Sequence, residues 1–291
     1  MGNLQVSQLL QQGGPVLLDG ATGTELERRG IPLAPPAWSA AAIFEHPDVL
    51  RQIHRDYVAA GAHIVTANTF RTHARNLVAS GREQEFRLWT CRAVEIARQA
   101  AEGQALVAGS MAPLGDCYSP EQTPPRELLL REHQAMAEAL VDAQVDLILI
   151  ETQLTIEEAA AAAQAARSTG LPFFVSFVCG RDGRLLSGET LQQAFATLAS
   201  FEPAALMVNC LPADEVLATL HPARPSAGGI PLGAYANTGR LLQAGVWEST
   251  EGADPAVYAG YAQHWRDSGI VVIGGCCGTT PQHLSAISNG L

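Results

Sequence analysis

Short apolar, β-branched runs alternate along the whole chain with longer stretches whose apolar residues recur every three or four positions. The runs are Val16-Asp19, His63-Asn68, Leu106-Ser110, Leu147-Glu151, Phe173-Val178, Leu206-Cys210, Leu232-Ala236 and Val271-Gly275. Between them, Val49, Ile53, Tyr57 and Val58 mark one helical stripe and Leu128 to Val141 another. The Ala-rich piece Glu157 to Ala166 lies between two strands and reads as the fourth helix, Ala being the best helix former. Strand and helix patterns in strict alternation predict βα units around a parallel sheet. Eight units in 291 residues predict an α/β fold, a single (β/α)8 TIM barrel, rather than an open doubly wound sheet with a glycine-rich first turn. No linker or shift in composition divides the chain, so one domain over residues 1–291 is expected. The Pro-rich pieces Ile31 to Trp38 and Ser119 to Pro125 follow the first and third strands and read as loops over one mouth of the barrel.

Composition narrows the function. With 47% hydrophobic and 16% charged residues the chain can bury a sizeable core. Lys and Arg number 18 against 29 Asp and Glu, a net charge of −11 with no basic cluster, which argues against nucleic acid and anionic membrane as partners and leaves small molecules. No apolar run approaches the ~20 residues of a membrane span. The start, Met1 to Val6, lacks the charged and apolar regions of an export signal, and Val6 stands where a myristoylation pattern wants Ser or Thr. A cytoplasmic enzyme of open oligomeric state is the expectation. Six cysteines are too sparse for a disulfide scaffold and are read as thiols or metal ligands.

In a barrel of this kind the chemistry sits where strands end. Asp19 closes the first strand, Asn68 follows the second, Glu151 closes the fourth, Cys210 the sixth, Asn237 follows the seventh, and Cys276-Cys277 follow the eighth. Three thiols from the sixth and eighth strand ends can converge, and three thiolates are a zinc ligand set whose fourth position stays open for substrate. Glycines flank the pair in Gly274-Gly275-Cys276-Cys277-Gly278, and they permit the sharp bend that lets adjacent residues face one ion. The bland alternative makes all three buried interior thiols. Cys91, Cys117 and Cys179 read as structural. Asp19 and Glu151 could otherwise be a glycosidase-type acid/base pair, helix caps or salt-bridge partners. No His pair has metal-ligand spacing, which disfavours a metal-dependent hydrolase.

Leu18 to Thr24 (LDGATGT), Thr66 to Phe70, Asp146 to Thr152 (DLILIET), Val208-Asn209-Cys210 and Gly274 to Pro281 (GGCCGTTP) together resemble the homocysteine S-methyltransferase family. That family includes S-methylmethionine-dependent and betaine-dependent enzymes and the homocysteine-binding module of cobalamin-dependent methionine synthase. The resemblance runs over essentially the whole chain. It implies Zn2+ on Cys210, Cys276 and Cys277, with the homocysteine sulfur in the open position as the nucleophile. It further implies Asp19 and Glu151 around the amino group, with backbone N–H groups of Gly20, Ala21 and Thr22 for the carboxylate. Asn68 and Asn237 are either polar contacts near the sulfur or loop braces. Pro36 to Ala40 resembles the segment of stand-alone members in which an aromatic ring meets a methylated cation, so Trp38 is a donor-site candidate, or else packs its loop. Arg71 and Thr152 stand where betaine enzymes carry aromatic residues, and a cation there repels a quaternary ammonium. A folate donor would need further modules for which one barrel leaves no room. The reading is therefore zinc-dependent methyl transfer from a sulfonium, S-methylmethionine or S-adenosylmethionine, to homocysteine, giving methionine. Its alternatives are another small thiol or selenol as acceptor, a betaine-like donor, or a non-catalytic zinc or amino-acid binding module.

Overall fold

The computed structural model describes residues 2–35, 37–180, 182–241 and 246–291; Met1 and Pro36, which the sequence reading used, lie outside the described residues. Eight parallel strands form one barrel: β1 (Val16–Leu17), β2 (Ile64–Ala67), β3 (Leu106–Met111), β4 (Leu147–Gln153), β5 (Phe173–Phe177), β6 (Ala205–Pro212), β7 (Leu232–Asn237) and β10 (Val272–Gly275). The sheet runs β1-β10-β7-β6-β5-β4-β3-β2. A parallel bridge between Leu18 and Ile64, with Asp19 N–H donating to Ile64 O at 3.0 Å, joins its two ends into a ring. All eight predicted strands are present, with ends shifted by at most two residues. These strands are buried on both faces, so their sequences are continuous apolar runs such as Leu147-Ile148-Leu149-Ile150.

The crossover helices pack outside: α4 (Pro47–Ala59), α6 (Phe86–Ala101), α7 (Arg126–Asp142), α8 (Ile156–Ser168), α9 (Leu191–Ala199), α10 (Val216–Ala223), α11 (Pro255–Asp267) and α12 (Pro281–Gly290). Their starts follow the expected chemistry. Thr155 accepts from Glu158 N–H at the start of α8, Thr190 forms a capping box with Gln193 on α9, and Asp254 accepts from Ala256 N–H on α11. Two apolar layers result, one between strands and helices and one inside the ring, the latter built from Leu18, Ile64, Leu149, Phe174, Met207 and Val272 among others. Short helices α2 (Gly23–Arg28), α3 (Ala42–Glu45) and α5 (Ala74–Leu77) lie in the segments after β1 and β2.

Helix α1 (Gly2–Gln11) and a hairpin also fall outside the eightfold pattern. The helix sets Val6, Leu9 and Leu10 against the interior cluster, and none of the three lines the cavity described below. An antiparallel hairpin of β8 (Gly239–Leu241) and β9 (Trp247–Ser249) stands beyond β7. Residues of β9 are exposed, so no buried stripe announces it in the sequence. No helix among the described residues is long and apolar enough to cross a membrane.

Candidate active site

The motif Gly274 to Pro281 encodes a strand end, a turn and a helix start in eight residues. Gly274 and Gly275 end β10; Cys276 follows, Cys277 and Gly278 form the turn, and Thr280 caps α12 with Pro281 at its first position. The turn is tied to β7 on both sides of the pair. Cys276 N–H donates to Ala236 O at 2.7 Å, Cys277 N–H to Asn237 Oδ1 at 3.0 Å, and Thr238 N–H to Cys277 O at 3.0 Å. The glycines have two different roles. Gly278, at φ +83°, supplies the left-handed bend, whereas Gly274 and Gly275 have ordinary φ and are small because Leu18 and Thr279 press against them. A Cβ on Gly278 would meet Thr238 Oγ1 at 2.0 Å. Gly278→Ala is therefore expected to cost about 2–4 kcal/mol, read as a Tm roughly 5–15 °C lower in thermal unfolding.

Cys210 reaches the same point from β6 by an unusual backbone. Its φ is +58°, and the register between β6 and β7 slips between Asn209 and Pro212, which turns the thiol toward the β10 turn. Left-handed torsions in a residue other than glycine cost about 1–2 kcal/mol. The result is a cluster in which the Sγ atoms of Cys210, Cys276 and Cys277 all lie within 4.8 Å of one another, with Cys210 and Cys276 Sγ 3.0 Å apart. Hydrogen bonds from Cys210 and Cys276 hold the Cys277 thiol below its usual range. Cys210 is pushed up by its hydrogen bonds to Cys276 and Cys277 and by burial. One thiolate forms readily, and each further one is opposed by its neighbours. A soft divalent cation is the chemistry that completes such a set, so these residues fit a tri-thiolate zinc site.

The thiols face a cavity of about 390 Å³ at the C-terminal ends of the strands. Across it stand two carboxylates, Asp19 buried and Glu151 part-buried. Asp19 accepts from Thr66 N–H at 2.8 Å and Thr66 Oγ1 at 3.0 Å, yet burial pushes it up to about 7, with Glu151 adding repulsion. Glu151 accepts from Ser110 Oγ and from Tyr235 Oη at 3.2 Å, and burial pushes it up to about 7 as well. Each carboxylate is positioned but has no cationic partner among the described residues, so an incoming ammonium would stabilise both charges. The first βα turn is held against the last one: Ala21 N–H donates to Thr279 Oγ1 at 3.2 Å and Tyr57 Oη to Ala21 O at 3.0 Å.

A family model described as homocysteine S-methyltransferase matches residues 16–291. The chain belongs to the homocysteine S-methyltransferase family. It is 32% identical over 308 residues to the homocysteine S-methyltransferase of Escherichia coli K12, with 98% of each chain covered. Homocysteine S-methyltransferase 2 of Zea mays is 29% identical over 309 residues, covering 96% of this chain and 90% of that one. The crystal structure of the metallated form of the homocysteine methyltransferase MmuM from E. coli superposes with a TM-score of 0.85 at 30% identity, covering 98% of this chain and 99% of that one.

In this member of the homocysteine S-methyltransferase family, Asp19, Gly20, Ala21, Thr22, Trp38, Asn68, Glu151, Cys210, Cys276 and Cys277 all border the one cavity. Details differ from the sequence reading. The Ala21 N–H is already taken by Thr279, which leaves Gly20 and Thr22 as the backbone donors of that turn. Asn68 is a loop brace, its amide oxygen and nitrogen both bonding Ser39 at 3.0 and 2.7 Å, and so holds the segment that carries Trp38. Asn237 lies outside the cavity lining and braces Cys277 through the backbone. Cys117, read as structural, borders the cavity, where burial pushes its thiol up to about 11 despite Arg71 Nη2 at 3.7 Å. Ser110, Tyr118 and Tyr235 also line the site. Their side chains are of common types at strand ends and in loops, and only the strand alternation, which turns Ser110 and Tyr235 inward, could have flagged any of them.

Proposed function

We propose that this barrel transfers a methyl group from a sulfonium donor to the thiol of homocysteine, with zinc on Cys210, Cys276 and Cys277, giving methionine. The observation that carries the reading is the trio of sulfurs within 4.8 Å of one another, facing the carboxylates of Asp19 and Glu151 across one cavity. The names of the relatives support homocysteine as acceptor, and the metallated form of the E. coli relative supports a metal at the thiols. The chemistry zinc would supply there is a positive charge that keeps an incoming thiol, ordinarily of pKa about 8.5, ionised at neutral pH.

The chain's own residues supply the rest. Asp19 and Glu151 hold the ammonium of homocysteine, Tyr235 and Ser110 hold Glu151 in place, and the N–H groups of Gly20 and Thr22 receive the carboxylate. The amino acid is thereby anchored with its sulfur toward the thiols. Leu18, Ala67 and Leu149 contribute apolar wall that keeps water from competing for the methyl group. In the reaction a new S–CH3 bond forms as the S–CH3 bond of the sulfonium breaks, and its electron pair leaves with a neutral thioether. The leaving group needs no proton, so the step calls on no general acid.

The donor side is aromatic and carries one cation. Trp38 stands on the rim, 46% exposed, with Phe70 and Tyr118 on the same cavity wall. Ring faces attract a methylated cation by about 0.5–2 kcal/mol each. The Arg71 guanidinium lies 5.1 Å from the Phe70 ring centroid and bonds Gly115 O at 3.4 Å and the Cys117 sulfur, and among the described residues it has no carboxylate partner. A donor that is itself an amino acid brings that carboxylate. Arg71→Met is expected to raise KM for S-methylmethionine about 10–100-fold while leaving methyl transfer from trimethylsulfonium, which has no carboxylate, unchanged. Equal losses with both donors would remove Arg71 from donor recognition.

The function itself is tested by metal analysis of protein purified under reducing conditions and by methionine formation from homocysteine with sulfonium, ammonium and folate donors. About one zinc per chain and turnover with a sulfonium are expected. A metal-free protein that transfers no methyl group from any donor would refute the reading.

A further inference from the structure

The side chain of Asn209 is fully buried, and four hydrogen bonds spread it over three consecutive strands. On β4 its Oδ1 accepts from Thr152 N–H at 3.1 Å and its Nδ2 donates to Thr152 Oγ1 at 2.9 Å. On β5, Ser176 Oγ donates to the same Oδ1 at 2.7 Å. On β6 its Nδ2 donates to Cys210 Sγ at 3.2 Å. A backbone N–H can only donate, so the atom facing Thr152 N is the amide oxygen, and the NH2 group necessarily faces the hydroxyl and the sulfur. Both residues so tied are left-handed, Thr152 at φ +62° and Cys210 at φ +58°, and each sits at a register slip of its strand. Neither is glycine, so each conformation persists only where its surroundings over-determine it. Thr152 directly follows Glu151.

We propose that Asn209 is a positioning residue that ties the zinc ligand Cys210 to the strand end bearing Glu151, and so sets the separation between the sulfur and amino-group subsites. The inference rests on the function proposed above and adds that the two subsites are held in register by one amide. Its NH2 group also donates to a ligand sulfur, and a hydrogen-bond donor there stabilises the thiolate form that a metal needs. Asn209→Asp keeps the acceptor for Thr152 N–H and Ser176 while deleting both donated bonds; Thr152→Val deletes only the hydroxyl end of the tie.

The test uses the zinc-loaded and Co2+-substituted full chain. In Asn209→Asp, zinc affinity by chelator competition is expected to fall about 10–100-fold, and the sulfur-to-cobalt charge-transfer band to move to lower energy as the thiolate loses its donor. In Thr152→Val, KM for homocysteine is expected to rise severalfold, with KM for the donor and the cobalt band unchanged. A folded Asn209→Asp with wild-type zinc affinity and cobalt spectrum overturns the proposal. Should that variant fail to fold by circular dichroism, Thr152→Val decides, and a wild-type homocysteine KM there overturns it. If the wild-type chain binds neither zinc nor cobalt, the failure belongs to the proposed function instead.

Discussion

Cys277→Ala is expected to fold, to retain no zinc and to lose methyl transfer by about 10³-fold or more. The backbone role of residue 277 survives the change, because Asn237 and Thr238 bond its N–H and C=O rather than its side chain. Two thiols remain, Cys210 and Cys276, one short of the three-sulfur cluster. Deleting one of three sulfurs removes a negatively charged ligand and leaves two where a catalytic zinc site uses three protein ligands, so the attraction for a divalent cation falls. Without the ion, homocysteine offers only the few per cent of thiolate that a free thiol has at neutral pH, unoriented toward a donor. The loss is of the order seen when a nucleophile's activating partner is removed. Zinc content by elemental analysis, the thermal unfolding curve and the rate of methionine formation check the three parts separately. Full zinc occupancy in Cys277→Ala would take this sulfur out of the ligand set.

The second large effect is expected at Glu151. Glu151→Gln keeps a side chain that Ser110 and Tyr235 can still bond, but it removes the charge that, on the proposed function, balances the ammonium of homocysteine. Losing one member of a buried, hydrogen-bonded charge pair costs about 2–5 kcal/mol, so KM for homocysteine should rise about 10²-fold or more while the donor's KM stays put. The same pair makes amino-acid binding pH-dependent. Burial raises Asp19 and Glu151 to about 7 from 3.8 and 4.5. Because the folded values lie above the unfolded ones, these groups favour the folded state most below about pH 4, and that contribution is lost as pH rises through 7. A bound ammonium reverses the preference, since it is stabilised only by the ionised carboxylates. Methionine, which has no thiol to titrate, should therefore bind more tightly at pH 8 than at pH 6 and raise Tm more at the higher pH. Calorimetry at the two values measures this, and the slope should flatten in Glu151→Gln. A pH-independent affinity in the wild-type chain would mean that the carboxylates do not receive the amino group.

Much of the site was readable from residue type. A vicinal cysteine pair between glycines and a third cysteine at another strand end leave few chemical readings, and the carboxylates closing the first and fourth strands follow from the barrel rule that chemistry collects at strand ends. What stayed hidden was conformation at single residues. Propensity gives no reason to place Cys210 or Thr152 in the left-handed region; packing and the buried amide of Asn209 hold them there. The glycines illustrate the same gap. One permissive role was expected for the set, but only Gly278 uses positive φ, while Gly274 and Gly275 are small because a neighbouring strand and Thr279 leave no room for a side chain.

By itself, then, the order of residues determined the eightfold alternation, the strands, and which side chains are chemically capable of holding a metal and an amino acid. Those properties are local: a buried strand must be apolar along its length, and a soft cation requires sulfur whatever the fold. Tertiary structure alone decided that Cys117, Tyr118 and Tyr235 share the cavity, that Asn68 and Asn237 brace loops and turns, and that Arg71 faces the site with no carboxylate partner among the described residues. These outcomes depend on which distant strands and loops are brought within a few ångströms, and ring closure sets such proximity between residues that no local pattern connects.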